Sequence, residues 1–345
     1  MSKRAVILMN LGGPDDLTSV QPFLFNLFND PAIIGLPGAI RWFLAQLISR
    51  RRAPTAREIY KKMGGCSPLL RETEAQAEGI GARLGTDDRV FISMRYWSPR
   101  SYETVEAVRD YNPSSIVLLP LYPQYSSTTT GSSVTDWSRA AKKAGLCKPT
   151  TLIGCYATNA GFILAHAELL REVLETNQSE ENVKVLFSAH GLPEKIVAKG
   201  DPYQWQVEKT VEAIVQELDY PDLDWKVCYQ SRVGPLSWIG PSTEEEIAAA
   251  GRRKQSVVIV PVAFVSEHSE TLVELDIEYA ELARKEGVRS YKRVAALGVS
   301  GLFLDALCDM VNATSASLGQ ASPIAGRTCP PEFTLCCKTP SAISD

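Results

Sequence analysis

Eight short apolar runs rich in β-branched residues alternate with stretches of helical periodicity along the chain. Apolar runs of this length, bounded by polar and turn residues, are typical of strands buried on both faces of a parallel sheet. Their alternation with helices predicts right-handed crossover connections. The predicted strands cover residues 5–11, 90–96, 116–122, 151–156, 183–189, 225–229, 257–264 and 291–297.

The second four predicted strands repeat the layout of the first four. Residues 4–14 resemble 183–193, and residues 115–131 match 256–272 in layout. The sequence therefore predicts an α/β fold of two similar doubly wound domains, each with a four-stranded parallel sheet flanked by helices. The gap between two such domains is a natural ligand cleft.

The domain boundaries follow from the same pattern. We expect a first Rossmann-like domain and a second one of similar build, then a helix that packs back on the first domain, then a tail. These segments are expected at 1–157, 158–299, 300–318 and 319–345.

Composition and charge exclude several function classes. A formal net charge of −4 gives no reason to expect nucleic-acid binding. The Leu-Gly-Gly-Pro turn at 11–14 lacks the spacing of a phosphate loop, so no nucleotide cofactor is expected. No apolar stretch reaches the length of a membrane span, and the N-terminal run does not read as a secretory signal. We expect a cytoplasmic protein whose eight cysteines are buried thiols or metal ligands rather than disulfides.

An apolar strand pattern followed by an acidic stripe covers residues 255–279. Glu267, Glu270, Glu274 and Glu278 recur at spacings of three and four, which places them on one face of a helix. The stripe begins beside His268 at the carboxyl end of a predicted strand, where open α/β sheets bind ligands. A solvated helix face is the alternative interpretation.

A second histidine, His190, ends the fifth predicted strand and is followed by Gly191 and Pro193, which turn the chain away. Histidine is suited to accept or donate a proton near neutral pH. A structural role is the alternative. Converging strand ends lead us to expect His190 close to His268 and Glu270.

An apolar helix predicted at 33–48 ends in the basic cluster Arg50, Arg51 and Arg52. This combination suits a helix that lies in a membrane interface. A core-packing helix with a solvated basic end is equally open from the residues alone. Its place in the first long loop after a strand favours a lip, residues 33–52, over the ligand site.

Seven segments together resemble the ferrochelatase family. They are MNLGGP (9–14), KKMGGCSPL (61–69), FISMRYWSP (91–99), LPLYPQYSSTTTGSS (119–133), FSAHGLP (187–193), YQSRVGPLSWIGP (229–241) and PVAFVSEHSETLVELDIEY (261–279). The resemblance implies a type II chelatase fold. It also implies insertion of ferrous iron into protoporphyrin IX to form protohaem, the last step of haem biosynthesis, with release of two pyrrole protons.

The resemblance also implies roles for individual residues. His190 and Glu270 would take pyrrole protons or deliver the metal, Glu274 and Glu278 would continue as a proton or metal path, and His268 would hold the local geometry. The lip would associate peripherally with the inner face of the membrane. Porphyrin-binding residues would be Leu11, Arg52, Tyr60, Ser67, Arg95, Tyr96, Tyr122, Ser127 and Trp238.

The tail carries three clustered cysteines, Cys329, Cys336 and Cys337, among prolines. Clustered thiols favour metal ligation, with zinc and unligated thiols as alternatives. The family resemblance implies a [2Fe–2S] cluster whose fourth ligand comes from mid-chain. Cys155 is the predicted fourth ligand and Cys147 the reserve.

Two other functions stay open at this point. A coproporphyrin III ferrochelatase would use a more polar substrate, and the apolar lip favours protoporphyrin over it. A non-catalytic porphyrin or haem carrier would need no proton acceptor, and the presence of both His190 and Glu270 argues against it. The sequence leaves the oligomeric state open.

Overall fold

A computed structural model describes residues 3–176, 182–232, 234, 236–314 and 327–337. Within these ranges the chain forms two compact units. The first contains residues 3–155, 307–314 and 327–328, and the second contains the described residues of 156–306 and 329–337. The predicted tail positions 319–326 and 338–345, and residues 315–318 of the predicted final helix, lie outside the described residues.

The first unit is built on a four-stranded sheet in the order β2-β1-β3-β4, with every neighbouring pair parallel. β1 lies inside the sheet and is buried along its whole length. The elements in chain order are β1 (Arg4–Asn10), α1 (Val20–Phe28), α2 (Gly38–Lys62), α3 (Leu69–Gly81), β2 (Asp88–Met94), α4 (Ser101–Tyr111), β3 (Ser115–Pro120), α5 (Thr130–Ala144) and β4 (Thr150–Leu152).

The second unit repeats this order as β6-β5-β7-β8, again with parallel neighbours. The fold class predicted from the sequence, two like units with four-stranded parallel sheets flanked by helices, is confirmed. The elements are α6 (Ala160–Glu175), β5 (Val183–His190), α7 (Glu194–Val197), α8 (Tyr203–Leu218), β6 (Asp224–Gln230), α9 (Thr243–Arg252), β7 (Ser256–Pro261), a π-helix (Glu270–Tyr279), α10 (Ala280–Glu286), β8 (Tyr291–Arg293) and α11 (Gly301–Ala313), whose last residues, from Leu307, group with the first unit.

The internal repeat extends to helix caps. In the first unit the Arg100 backbone N–H donates to Glu103 at 2.6 Å, where α4 begins after β2. In the second unit the Ser242 backbone N–H donates to Glu245 at 2.8 Å, where α9 begins after β6. A glutamate three residues past the cap satisfies a helix N–H that has no intrahelical partner.

The helix that carries the predicted lip is longer than the sequence pattern indicates. α2 runs for 25 residues and continues past Arg52, through Pro54, to Lys62. The prediction of a short helix ending in the arginines is therefore wrong. Proline usually weakens a helix, but Ala53 and Tyr60 are buried in one apolar cluster, and this packing holds the second half of α2 in place.

Three members of the acidic stripe, Glu270, Glu274 and Glu278, lie on a π-helix rather than on the α-helix that their spacing predicts, and Glu267 precedes this helix. A π-helix bonds residue i to residue i+5, so side chains that would align on an α-helix diverge. β4, β7 and β8 also end earlier than predicted. The apolar residues that follow them, Ile153, Val262 and Val294, are buried outside a strand.

Candidate active site

The carboxyl end of β5 presents His190, and the start of the π-helix presents Glu270 to it. His190 Nδ1 lies 2.7 Å from Glu270 Oε2. The imidazole side chain is 44% exposed and the glutamate side chain is 24% exposed, so the histidine is the more accessible member of the pair. An ionised carboxylate only accepts hydrogen bonds, so Nδ1 carries the proton and Nε2 is left to face other groups.

Charge pairing sets the protonation of these two groups. Burial disfavours the imidazolium, but the charge and hydrogen bond of Glu270 outweigh burial and raise the pKa of His190 above 6.5. Burial opposes the charge of Glu270 as well, yet the neighbouring His190 lowers the pKa of Glu270 to about 2. The pair is therefore an imidazolium and a carboxylate below the raised pKa of His190.

The residues that follow β6 hold the second carboxylate, Glu274. Gln230 Nε2 donates to Glu274 Oε2 at 3.0 Å, and the Ser231 backbone N–H donates to Glu274 Oε1 at 2.8 Å. The Ser231 hydroxyl lies 2.5 Å from Glu274 Oε2 and 3.1 Å from Glu270 Oε2. Burial and the charge of Glu270 raise the pKa of Glu274. The two carboxyl groups thus favour opposite protonation states.

The other members of the predicted acidic stripe lie elsewhere. Glu267 accepts from Arg293 and from the Ala296 backbone N–H, both at 2.9 Å. Glu278 is exposed. His268 is buried against the Phe264 ring, with centroids 4.6 Å apart, and burial lowers its pKa. Of the five predicted catalytic residues, hydrogen bonds connect His190, Glu270 and Glu274 through Ser231.

Trp238 packs against the turn that follows His190. It forms a backbone bridge with Pro193, and a Cβ added at Gly191 would lie 3.3 Å from its ring and 2.9 Å from the Gln230 carbonyl oxygen. Only glycine permits this approach without displacing a neighbour. Gly191 therefore lets the turn after His190 pack against Trp238.

In the first unit, Arg95 and Tyr96 belong to a buried network centred on Asp30. The Asp30 carboxylate lies 2.9 Å from Arg95 Nη2 and accepts a hydrogen bond from the Tyr96 hydroxyl at 2.7 Å. Ser132 also donates to Asp30 and accepts from Arg95 Nε at 2.7 Å. The Arg95 charge is thus compensated inside the unit, and Arg95 holds this part of the structure together.

The predicted apolar contacts of the first unit lie together. Tyr60 and Tyr96 are buried in one cluster, and Leu11 packs against it. Arg52 is exposed, and its guanidinium lies 5.7 Å from the Phe28 ring centroid. Arg52 has no carboxylate partner within the described ranges, so its charge is available to an external anion.

The remaining predicted porphyrin residues are Ser67, Tyr122 and Ser127, and all three are half-buried. The Ser67 backbone N–H donates to the Pro14 carbonyl at 2.8 Å. The Tyr122 hydroxyl is buried and has no hydrogen-bond partner in the part of the first unit that is described.

Three of the predicted cluster cysteines lie in the tail and two lie in mid-chain. Cys329, Cys336 and Cys337 are buried, and Gln206 Nε2 donates to Cys329 Sγ at 3.2 Å. Cys155 is buried and Cys147 is exposed. Thiol sulfur is the right donor for an iron–sulfur cluster, but no group of three or more Cys, His, Asp or Glu residues in the described chain is arranged to hold a metal ion.

Three residues of these networks escaped the sequence analysis. Gln230 and Ser231 stand inside a motif quoted for the family resemblance, but neither type signals chemistry by itself. Asp30 precedes a proline in the first loop, and aspartate at such a position usually indicates only a turn. Only the approach of distant segments gives these side chains their roles.

The two parallel α/β units and the histidine–carboxylate pair at a strand end define a chelatase-type protein. SirB from Bacillus subtilis, solved with Fe³⁺, superposes with a TM-score of 0.56 and 16% identity, over 93% of this chain and 99% of that one. DR2241 from Deinococcus radiodurans, described as structurally similar to chelatases, gives a TM-score of 0.52 at 12% identity over 94% of this chain and 56% of its own. These likenesses concern the fold.

The ferrochelatase family pattern matches residues 3–315. Curated ferrochelatases from Caulobacter vibrioides and Pelagibacter ubique are 52% and 51% identical to this chain, over 97% and 90% of its length and equal shares of their own. The chain belongs to the ferrochelatase family. It is a metal chelatase, a lyase that inserts iron into a porphyrin for haem synthesis, and this sets the non-catalytic carrier aside.

Proposed function

We propose that the porphyrin is protoporphyrin IX and that His190 accepts its pyrrole protons while Glu270 stabilises the resulting imidazolium. The observation that carries this proposal is the 2.7 Å contact between His190 Nδ1 and Glu270. It fixes the tautomer and leaves Nε2 as the basic atom on an imidazole that is 44% exposed. Ferrous iron is a substrate, and the carboxylate oxygens beside His190 suit it as transient ligands.

The residue roles are tested by His190→Ala and Glu270→Gln. We expect each to lower metal insertion by about a hundredfold or more, the size of a lost general base. Zinc insertion followed by porphyrin fluorescence measures turnover, and fluorescence quenching measures porphyrin binding separately. Glu281→Gln, an exposed carboxylate on α10, is the matched control. Near-normal turnover in His190→Ala with unchanged porphyrin binding would contradict the assignment.

The preference for protoporphyrin rests on charge. Arg95 is engaged by Asp30 and Asp136, whereas Arg52 has no such partner in the described chain. A porphyrin with four carboxylates would need more uncompensated cations than one with two. Coproporphyrin III is the second candidate. Competition between the two porphyrins should give a higher kcat/KM for protoporphyrin, and a higher value for coproporphyrin would reverse the choice.

Peripheral membrane association through residues 33–52 is supported by exposed apolar side chains. Ile40, Trp42 and Phe43 are 54%, 52% and 65% exposed, and Ile33, Leu36 and Leu47 are also exposed. A contiguous exposed apolar patch marks an interaction surface, and the arginines beside it favour anionic lipid. No helix within the described ranges is long and apolar enough to span a bilayer.

Co-sedimentation with vesicles of phosphatidylserine and phosphatidylcholine tests the membrane proposal. Phe43→Ser should lower the bound fraction, because it removes an aromatic ring that would insert. Tyr102→Ser is the matched control, since Tyr102 is 61% exposed on α4, outside the patch. Equal binding of the two variants would contradict membrane association through this patch.

The tail cysteines form the basis of a further part of the proposal, a [2Fe–2S] cluster on Cys329, Cys336, Cys337 and Cys155, with Cys147 in reserve. Its support is chemical: the three tail thiols are buried, and Gln206 donates to one of them. The tail is attached to the second unit, because the Leu335 backbone N–H donates to the Gly200 carbonyl at 3.1 Å. No step of the reaction is assigned to the cluster.

Anaerobically purified, iron-replete protein tests the cluster. Visible absorption should be present and should disappear in Cys329→Ser, whereas Cys66→Ser, at an exposed cysteine outside the set, should keep it. Single replacement of Cys155 and Cys147 identifies the fourth ligand. Colourless protein, or zinc at one per chain, would overturn the assignment without affecting the chelatase activity.

A further inference from the structure

The π-helix passes across the carboxyl end of β5. In the second sheet β5 lies between β6 and β7. The π-helix follows β7, yet its Glu270 contacts His190 at the end of β5, and its Glu274 contacts Gln230 at the end of β6. Contacts with the end of β6 therefore help to fix where this helix lies relative to His190.

The side chain of Gln230 makes two of these contacts. Gln230 is fully buried and is paired with His190 in the parallel register of β5 and β6. Its Nε2 donates to the Glu270 carbonyl oxygen at 3.2 Å and to Glu274 Oε2 at 3.0 Å. An amide nitrogen carries two hydrogens, so both bonds form at once. One side chain thus holds the backbone at Glu270 and the carboxyl group of Glu274 together.

Contacts at both ends of the Gln230 amide fix its orientation. A backbone carbonyl only accepts hydrogen bonds, so the carbonyl oxygen of Glu270 requires the amide nitrogen. At the other end, the hydroxyl of Ser188 donates to Gln230 Oε1 at 2.8 Å. Ser188 is fully buried on β5, and its hydroxyl lies 2.9 Å from that of the fully buried Thr243. These partners keep the two amide hydrogens directed at the π-helix.

The backbone of Gln230 adds a link to the histidine. Its carbonyl oxygen accepts the Gly191 N–H at 2.8 Å, in the turn that follows His190. The same buried residue therefore bonds the turn after the histidine and both glutamates beside it. We propose that Gln230 is a positioning residue for metal insertion, which holds Glu270 against the His190 imidazole. The inference rests on the proposed role of His190.

The position of Glu270 matters because it selects the tautomer of His190. With Glu270 Oε2 at 2.7 Å, Nδ1 keeps the proton of the neutral imidazole and Nε2 is the basic atom. If Glu270 moved away, the neutral ring could carry its proton on Nε2 instead, and Nε2 could then accept none. Gln230 thus acts through Glu270 on which nitrogen accepts a pyrrole proton.

Gln230→Met tests this role, because methionine fills a similar volume and donates no hydrogen bond. We expect kcat for metal insertion to fall about tenfold or more, since misplacing a reacting group by about 1 Å can cost about a hundredfold. KM for porphyrin should stay within about twofold. The ¹⁵N NMR shifts of the His190 imidazole, measured where the ring is neutral, should show the Nε2–H tautomer appearing in the variant.

Gln255→Met is the matched control. Gln255 is buried, and its Nε2 also donates to two acceptors, Asn182 Oδ1 and Asp224 Oδ2, each at 3.0 Å. It precedes β7, at the amino end of the same sheet. Its replacement should lower the stability of the fold in urea unfolding but leave kcat and the tautomer of His190 unchanged.

Ser188→Ala is the second variant, in case Gln230→Met does not fold. It removes the donor to Gln230 Oε1 and leaves the amide in place, so kcat and the tautomer of His190 should change in the same direction but less. An unfolded Gln230→Met beside an unchanged kcat and tautomer in Ser188→Ala would reject the positioning role.

The outcomes separate this inference from the role of His190. Normal kcat and an unchanged tautomer in Gln230→Met, beside a large loss in His190→Ala, would reject the positioning role and keep the proton acceptor. A lower kcat with an unchanged tautomer, or equal losses of kcat in Gln230→Met and Gln255→Met, would also reject it. Normal turnover in His190→Ala would reject the proposed role of His190 and this inference with it.

Discussion

At the residue scale, three histidines in very different surroundings offer an internal comparison. His166 is fully buried on α6, and burial lowers its pKa to about 3. His268 is also buried, and its pKa is lowered. Only His190 pairs with a carboxylate, and only its pKa is raised. A proton acceptor must first be neutral, so the reaction should begin only as pH rises through the pKa of His190.

We therefore predict that a single histidine signal titrates above pH 6.5 in NMR spectra of the imidazole side chains. Because Glu270 raises this pKa, Glu270→Gln should move the titration to lower pH. The ion pair stabilises the fold below the unfolded pKa of about 6.5, and this contribution is lost as pH rises through the folded value.

Histidine replacement provides the control for this titration. His190→Ala should remove the signal, whereas His166→Ala should leave it in place. A titration above pH 6.5 that survives His190→Ala would assign the raised pKa to another histidine.

At the element scale, the close approach of α6 and α11 depends on glycine. A Cβ added at Gly161 would lie 2.6 Å from Ala306 Cβ, below any normal contact. Both residues lie in the second unit, next to the packed rings of Phe162 and Phe303. The two helix backbones leave no room for a methyl group.

Gly161→Ala should lower the free energy of unfolding by about 1–3 kcal/mol, the cost of overpacking. This exceeds the gain of up to about 1 kcal/mol that alanine brings to a helix. Gly301→Ala, where a Cβ would meet nothing within 4 Å, should be neutral or stabilising. Urea unfolding of both variants measures the difference, and equal effects would contradict the steric argument.

Local pattern could predict the strands and their duplication, because buried parallel strands are continuous apolar runs and the repeat preserves their order. It could not predict the π-helix, since Glu270 and Glu274 have the same spacing in either helix type. It also underestimated α2, whose second half depends on the burial of Tyr60 rather than on local preference. The hydroxyl of Ser231 contacts Glu270 and Glu274 only because the segment after β6 lies against the π-helix, which local pattern does not reveal.

At the scale of the whole molecule, one ion pair joins distant parts of the first unit. Arg4 on β1 bonds both oxygens of Asp88 on β2. The same guanidinium donates to the Val311 carbonyl at 2.8 Å, near the end of α11. The chain's first strand and its last described helix thus share one buried cation.

Asp88→Ala should lower the free energy of unfolding by about 3 kcal/mol, because it leaves the buried Arg4 charge without its partner. The exposed pair of Lys61 and Glu58 is the control, and Glu58→Ala should cost less than about 1 kcal/mol. Chemical unfolding measures both, and a small effect in Asp88→Ala would mean that solvent reaches Arg4.

The repeated sheets have a consequence for ancestry. The pairing of Arg4 with Ser115 in one unit corresponds to that of Val183 with Ser256 in the other, so counting along the strands makes Leu11 the counterpart of His190. In a symmetric dimer of one short gene product, any substitution at this position would occur twice. After duplication and fusion, one copy could keep an apolar side chain while the other acquired a base. A single chain can therefore carry different side chains at the two equivalent positions, whereas a homodimer carries the same side chain at both.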